Sequence, residues 1–138
     1  MTTEYTKPVP RPLHPNLTKE FWEGTKRREI NIPRCKNCGR FFWYPREECP
    51  FCLEQDWEWH NATGKGHLYT YTVVRQPQDP AFYDDVPYIF AIVQLDEGIR
   101  IVSNVIDCPL DQVKVDMPLE VVFEDITSDW TLYKFRPT

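Results

Sequence analysis

The residues with the clearest chemistry are five cysteines, four of which form two Cys-x-x-Cys pairs: Cys35 with Cys38, and Cys49 with Cys52, ten residues apart. Each pair can fold into a knuckle that points two sulfurs at one ion, and ten residues suffice for a hairpin that sets the knuckles face to face. Four thiolates in a closed tetrahedron describe one structural zinc ion. The same cage accepts mononuclear iron, and two disulfides also satisfy the count, so the metal is left open by spacing alone. A cage of four sulfurs has no coordination position for water, so it reads as scaffold rather than catalyst. Gly39 follows the first knuckle, where the turn wants positive φ, and Pro50 fixes φ inside the second. Bound metal can supply on the order of 10 kcal/mol of folding free energy. The fifth cysteine, Cys108, has no base beside it in sequence and reads as a small packed residue near a turn.

Several elements must position this cage. Residues 1–16 carry Pro8, Pro10, Pro12 and Pro15 and predict an extended proline-rich arm. A helix is expected from an N-cap at Thr18 to Arg28, with Leu17 and Trp22 as a hydrophobic staple. Gly24 within it marks a weak point or a close backbone approach. Ile30 to Arg34 predicts a strand into the first knuckle, and Arg40-Phe41-Phe42-Trp43-Tyr44-Pro45 leads out of it. Four successive aromatics must line both faces of an extended segment. Glu54 to Trp59 predicts a further strand, so residues 17–60 read as a helix and zinc-ribbon module. Gly64-Lys65-Gly66 changes the pattern. From there strands are expected at 67–75, 87–95, 99–106, 119–124 and 131–136, with a hairpin turn at Asp96-Glu97-Gly98 and a helical turn at 109–113. Five short strands without βαβ spacing make residues 61–138 a small closed barrel. The OB-fold is the five-stranded member of that class, and an SH3-like barrel fits the pattern as well.

Composition sets the bounds. Hydrophobic residues make up 41% of the 138 positions and charged residues 27%, as in an ordinary soluble domain. No apolar run approaches the ~20 residues of a membrane helix. The opening Met1-Thr2-Thr3-Glu4-Tyr5 lacks the basic and apolar segments of a secretory leader. Thiols paired for metal fit a reducing, cytoplasmic setting. The formal charge of −5 is unevenly spread: residues 1–60 carry +1 and residues 61–138 carry −6. Between 26 and 46 there are seven basic residues against Glu29 alone. The ribbon is thus locally basic, although a zinc ion on four thiolates adds −2, and the barrel is acidic. His14, His60 and His67 are too scattered for a catalytic triad, and no Ser/His/Asp signature is present, so no stand-alone catalytic site is expected.

In order, Phe21-Trp22-Glu23-Gly24, Cys35-Lys36-Asn37-Cys38-Gly39-Arg40, Pro45-Arg46, Cys49-Pro50-Phe51-Cys52, Gly64-Lys65-Gly66 before Tyr69-Thr70-Tyr71-Thr72-Val73-Val74, and Pro87-Tyr88 resemble the zinc-ribbon/OB-fold family labelled DUF35. The resemblance runs from about residue 17 to Pro137. One departure is Asp116, which stands before Met117-Pro118 where the family usually has glycine. The resemblance implies a mainly β protein: an N-terminal helix, a rubredoxin-like zinc ribbon and a five-stranded OB-fold barrel. It also implies a non-catalytic accessory subunit of a thiolase-superfamily acyl-CoA enzyme, hence a hetero-oligomer, with Cys35, Cys38, Cys49 and Cys52 as zinc ligands and no catalytic residue carried over.

Two functions follow. In the first, the chain helps a thiolase-like enzyme bind or position acyl-CoA. Arg27, Arg28 and Arg34 are then the candidate group for coenzyme A phosphates, because guanidinium forks match phosphate oxygens. Trp22, Phe42, Trp43, Phe82 and Tyr83 are the candidate partner or ligand surface. The alternative is a single-stranded nucleic-acid-binding OB-fold, which the −6 charge on residues 61–138 opposes.

Overall fold

A computed structural model describes residues 5–138; the first four residues of the expected arm lie outside it. The arm has no regular structure up to His14. Helix α1 then spans Pro15–Lys26, and strand β1 (Ile30–Cys35) pairs antiparallel with β2 (Trp57–Ala62). Five further strands follow: β3 (Lys65–Val74), β4 (Tyr88–Leu95), β5 (Arg100–Val105), β6 (Pro118–Asp125) and β7 (Thr131–Pro137). They close a barrel in the order β3-β4-β5-β7-β6, with β6 returning to β3. All neighbours are antiparallel except β5 and β7, which run parallel at Val105 and Phe135. That order is the OB-fold's, so topology excludes the SH3-like alternative.

The helix differs from expectation at both ends. Its N-cap is His14, and Pro15 takes the first helical position, where a missing N–H costs nothing and the fixed φ is already helical. Thr18 therefore lies inside the first turn, its backbone N–H on the His14 carbonyl at 3.3 Å, and the Leu17–Trp22 staple does not sit at the helix entry. At the far end, Arg28 turns the chain at φ 64° and the helix stops two residues before it. Residues 40–45 form no strand; a single bridge joins Arg34 to Phe41. The second ribbon strand begins at Trp57 rather than Glu54, and the loop after β3 contains a 3-10 turn at Pro80–Asp85. Asp116 adopts φ 70°, which fits the place of a family glycine, since aspartate tolerates the left-handed region better than most residues.

The inward faces of the barrel strands supply Leu68, Ala91, Val93, Ile101, Leu119 and Phe135, all fully buried. Phe21 of α1 and Ile30 and Ile32 of β1 join the same core, so helix, ribbon strands and barrel pack as one body. Only a small second cluster, Cys35, Phe42 and Cys49 with Cys52 and Trp57 against it, holds the knuckles. Three buried residues are too few to hold a fold without a further constraint.

Candidate metal centre and the surrounding surface

The two knuckles use the same backbone pattern. In the first, the Cys35 N–H donates to the Arg40 carbonyl at 2.9 Å and the Gly39 N–H returns to the Cys35 carbonyl at 3.0 Å. In the second, the Cys49 N–H donates to the Glu54 carbonyl at 2.9 Å and the Leu53 N–H returns to the Cys49 carbonyl at 2.9 Å. Gly39 (φ 78°) and Leu53 (φ 67°) are the matching left-handed residues. The glycine signal marked the first turn; the second carries a leucine that nothing in its residue type announces.

These turns bring the four sulfurs together. All four Sγ atoms lie within 4.8 Å of one another, with Cys35–Cys52 at 3.5 Å and Cys38–Cys49 at 3.7 Å. A tetrahedron with Zn–S bonds of about 2.3 Å has sulfur–sulfur edges of roughly 3.8 Å, so the donor set fits a metal held by four thiolates. The Cys38 N–H points at Cys35 Sγ and the Phe51 N–H at Cys49 Sγ, both at 3.4 Å, and the Asn37 amide lies 3.6 Å from Cys52 Sγ. Such donors favour the anionic sulfur. The Cys52 thiol is lowered to about 6, with the Asn37 amide as its largest cause. The Cys38 thiol is raised to about 11 even though the Arg40 backbone N–H, its largest single influence, lowers it; burial and the neighbouring sulfurs prevail. Sulfurs crowded this closely cannot all ionise unless a cation sits among them.

The residues around the cage fall into distinct places. Phe42 is 2% exposed and packs beneath the knuckles, with Trp57 at 5.7 Å, so it faces the cage rather than solvent. Trp43 turns the other way and meets Phe21 at 4.9 Å, while Trp22 packs on Phe21 and Trp130. Trp22, Trp43 and Tyr44 line a cavity of about 430 Å³ whose rim is Pro10 to Leu13 of the arm. Leu13 is 91% and Tyr44 56% exposed there. Phe82 lines a second cavity of about 430 Å³ on the barrel, and Tyr83 stands in solvent beside it. The arm reaches that cavity too: Tyr5 and Lys7 line it, and Lys7 pairs with Asp85 at 2.6 Å.

The basic residues are not equivalent. Arg27 is tied to Glu20 at 2.5 Å and to Glu29 at 3.4 Å. Arg28 makes a two-pronged pair with Asp125, both contacts at 2.7 Å. Arg34 instead lies over Phe41, 5.0 Å from the ring centre. The structure thus separates the three candidate phosphate ligands, with two already on carboxylates. Arg40 and Arg100, which sequence reasoning did not single out, also lie over rings.

Two family models match: the ChsH2 rubredoxin-like zinc ribbon domain over residues 22–58 and the ChsH2 C-terminal OB-fold domain over residues 59–124. A probable enoyl-CoA hydratase alpha subunit of Thermomonospora curvata is 36% identical over 98% of this chain, which spans 43% of that relative's length. A solved chain described as Ltp2-ChsH2(DUF35) aldolase superposes with a TM-score of 0.83 at 34% identity, covering 92% of this chain and 98% of the other. A DUF35 domain-containing scaffold protein of Methanocaldococcus jannaschii is 37% identical over 91% of this chain and 94% of its own length. The chain belongs to the DUF35 family, a zinc ribbon joined to an OB-fold barrel.

Proposed function

We propose that the chain is a non-catalytic, zinc-binding subunit that associates with a thiolase-superfamily enzyme and helps it bind or position acyl-CoA. That enzyme would be a thiolase, an acyltransferase or an aldolase of a degradative pathway. The observation that carries this reading is the 0.83 TM-score match to a DUF35 chain described together with an aldolase. Relatives named as a scaffold protein and as hydratase alpha subunits support it. So does the aromatic ledge of Trp22, Trp43 and Tyr44 beside the exposed Leu13, an apolar surface of the kind that partners cover. In this reading Cys35, Cys38, Cys49 and Cys52 hold one structural zinc ion within a helix and ribbon unit of residues 17–60. Residues 61–138 are the barrel unit, and Tyr83 with Phe82 extends the contact surface.

The alternative, single-stranded nucleic-acid binding, has two observations against it. The barrel half carries −6, and the barrel cavity beside Phe82 already receives Tyr5 and Lys7 of the arm. Co-expression with a thiolase-like protein encoded alongside is the test. One stable complex should purify, and acyl-CoA turnover should require both chains. A partner that is fully active alone, with no complex formed, overturns the reading.

A further inference from the structure

We propose that the groove between the second zinc knuckle and the β4–β5 hairpin binds a phosphorylated nucleotide through Arg34, Arg40 and Arg100. The site deepens the acyl-CoA reading above and rests on it for coenzyme A as the nucleotide. The groove encloses about 310 Å³ and is lined by Phe41, Phe42, Trp43, Phe51, Ile99 and Arg100.

Each guanidinium of the three lies over an aromatic ring: Arg34 over Phe41 at 5.0 Å, Arg40 over Phe51 at 4.8 Å and Arg100 over Tyr69 at 3.7 Å. Phe41 and Phe51 are themselves walls of the groove. Two of the three are anchored a second time. Arg34 Nε donates to the Gly39 carbonyl at 3.0 Å, and Arg100 Nε donates to Gln94 Oε1 at 3.2 Å. Both anchors use Nε, and among the described residues the terminal nitrogens have no hydrogen-bond partner. Among the described residues, none of the three reaches a carboxylate, whereas Arg27, Arg28 and Arg136 each sit on one. Among the described residues Arg11, Arg46 and Arg75 have no carboxylate partner either, but none lies over a ring or is anchored by a side-chain hydrogen bond.

Guanidinium groups held in place by stacking lose little freedom when they meet an anion, and their paired N–H groups match phosphate oxygens. A base needs a flat apolar face, and Phe51 is 54% exposed. Phosphate and base are the two ends of a nucleotide, and the groove presents groups for both. Neither the cysteine spacing nor the basic run at 26–46 indicates this grouping. Arg100 lies in a distant strand, brought to the knuckle only by the packing of the β4–β5 hairpin.

The test uses the zinc-loaded full chain titrated with coenzyme A and, separately, with a thymidine oligonucleotide. Arg40→Gln lies close to the cysteines, so Arg100→Gln on the barrel is the decisive variant, and Arg136→Gln, paired with Glu120, is the control. Coenzyme A affinity should fall about tenfold or more in Arg100→Gln and in Arg40→Gln, as expected for losing a charged hydrogen bond to phosphate, and should hold in Arg136→Gln. Unchanged affinity in Arg100→Gln overturns the proposal. So does metal loss in Arg40→Gln with affinity intact in Arg100→Gln, which would make these cations counter-charges of the cage. A wild-type chain that binds the oligonucleotide but not coenzyme A, or neither, overturns it too. Complex formation with a thiolase-like partner is read separately. A complex whose coenzyme A affinity ignores Arg100 removes this site and leaves the subunit reading. Binding that depends on Arg100 without any complex does the reverse.

Discussion

Leu53 shows how a single residue can carry strain that its neighbours require. It occupies the left-handed position of the second knuckle at φ 67°, yet its side chain is 72% exposed and contributes little packing. A residue with a Cβ costs roughly 1–2 kcal/mol there, offset in part by the greater entropy glycine loses on folding. Leu53→Gly should therefore raise stability by up to about 1 kcal/mol in a denaturant melt of the zinc-loaded protein. Asp125 is the clearest pH-sensitive residue. The Arg28 guanidinium first, and then the Thr131 hydroxyl at 2.6 Å, hold its carboxyl well below the usual carboxylate range. A carboxyl depressed in the fold contributes stability that is fully present above its unfolded value of about 3.9 and is lost as pH falls through the folded value. Asp125→Asn should thus be less stable than the parent at pH 7, with the difference shrinking on acidification below about pH 4, as read from urea melts at both pH values. An equal deficit at all pH values would mean that packing, not charge, ties Arg28 to the barrel.

At the level of elements, α1 is fitted against β1 closely enough to explain its glycine. A Cβ on Gly24 would stand 2.6 Å from Asn31 Nδ2 and 3.4 Å from the Glu29 carbonyl. Asn31 is 5% exposed and holds the Glu20 carboxylate at 3.2 Å, so it has little room to move. Helix propensity favours alanine over glycine by about 1 kcal/mol, but this contact reverses the sign: Gly24→Ala should lose about 1–3 kcal/mol and shift the thermal midpoint downward. A rise would show the helix to be looser than its packing indicates. The opposite face of the same seam is held by Thr25, whose buried hydroxyl lies 2.8 Å from the Trp22 carbonyl and 3.0 Å from the Thr131 carbonyl. Helix, ribbon strand and barrel strand β7 therefore meet through both a polar and an apolar contact.

Across the whole molecule, two sources of stability are unequal in size. The main core runs without a break from Phe21 and Ile30 into the barrel, while the knuckles rest on Cys35, Phe42 and Cys49. Chelating the metal should therefore accelerate amide exchange over residues 36–56 and leave β3 to β7 protected. Exchange that rises uniformly over the chain would mean that the cage and barrel unfold together. Because the thiols must lose their protons to bind metal, the same local loss should appear as pH falls.

Spacing singled out the four cysteines, because each knuckle is a local turn whose two sulfurs lie three residues apart, while the structure showed all four sulfurs gathered within 4.8 Å. Runs of β-branched, aromatic and apolar residues between turn signals, cleanly alternating at 119–124, likewise placed the five barrel strands to within a few residues. Residue type could not say which way the barrel closes. The parallel meeting of β5 and β7 joins Val105 to Phe135, and no local signal spans that distance. Nor could it say which arginines are free. Arg27, Arg28 and Arg34 read alike in the chain; Arg27 is taken by its near neighbours Glu20 and Glu29, whereas only tertiary packing set Asp125 against Arg28, and Arg34 was left on a ring. The physical reason is common to both cases: backbone turns and strand patterning are short-range properties, whereas the Arg28–Asp125 pair and strand closure depend on contacts between distant parts of the chain.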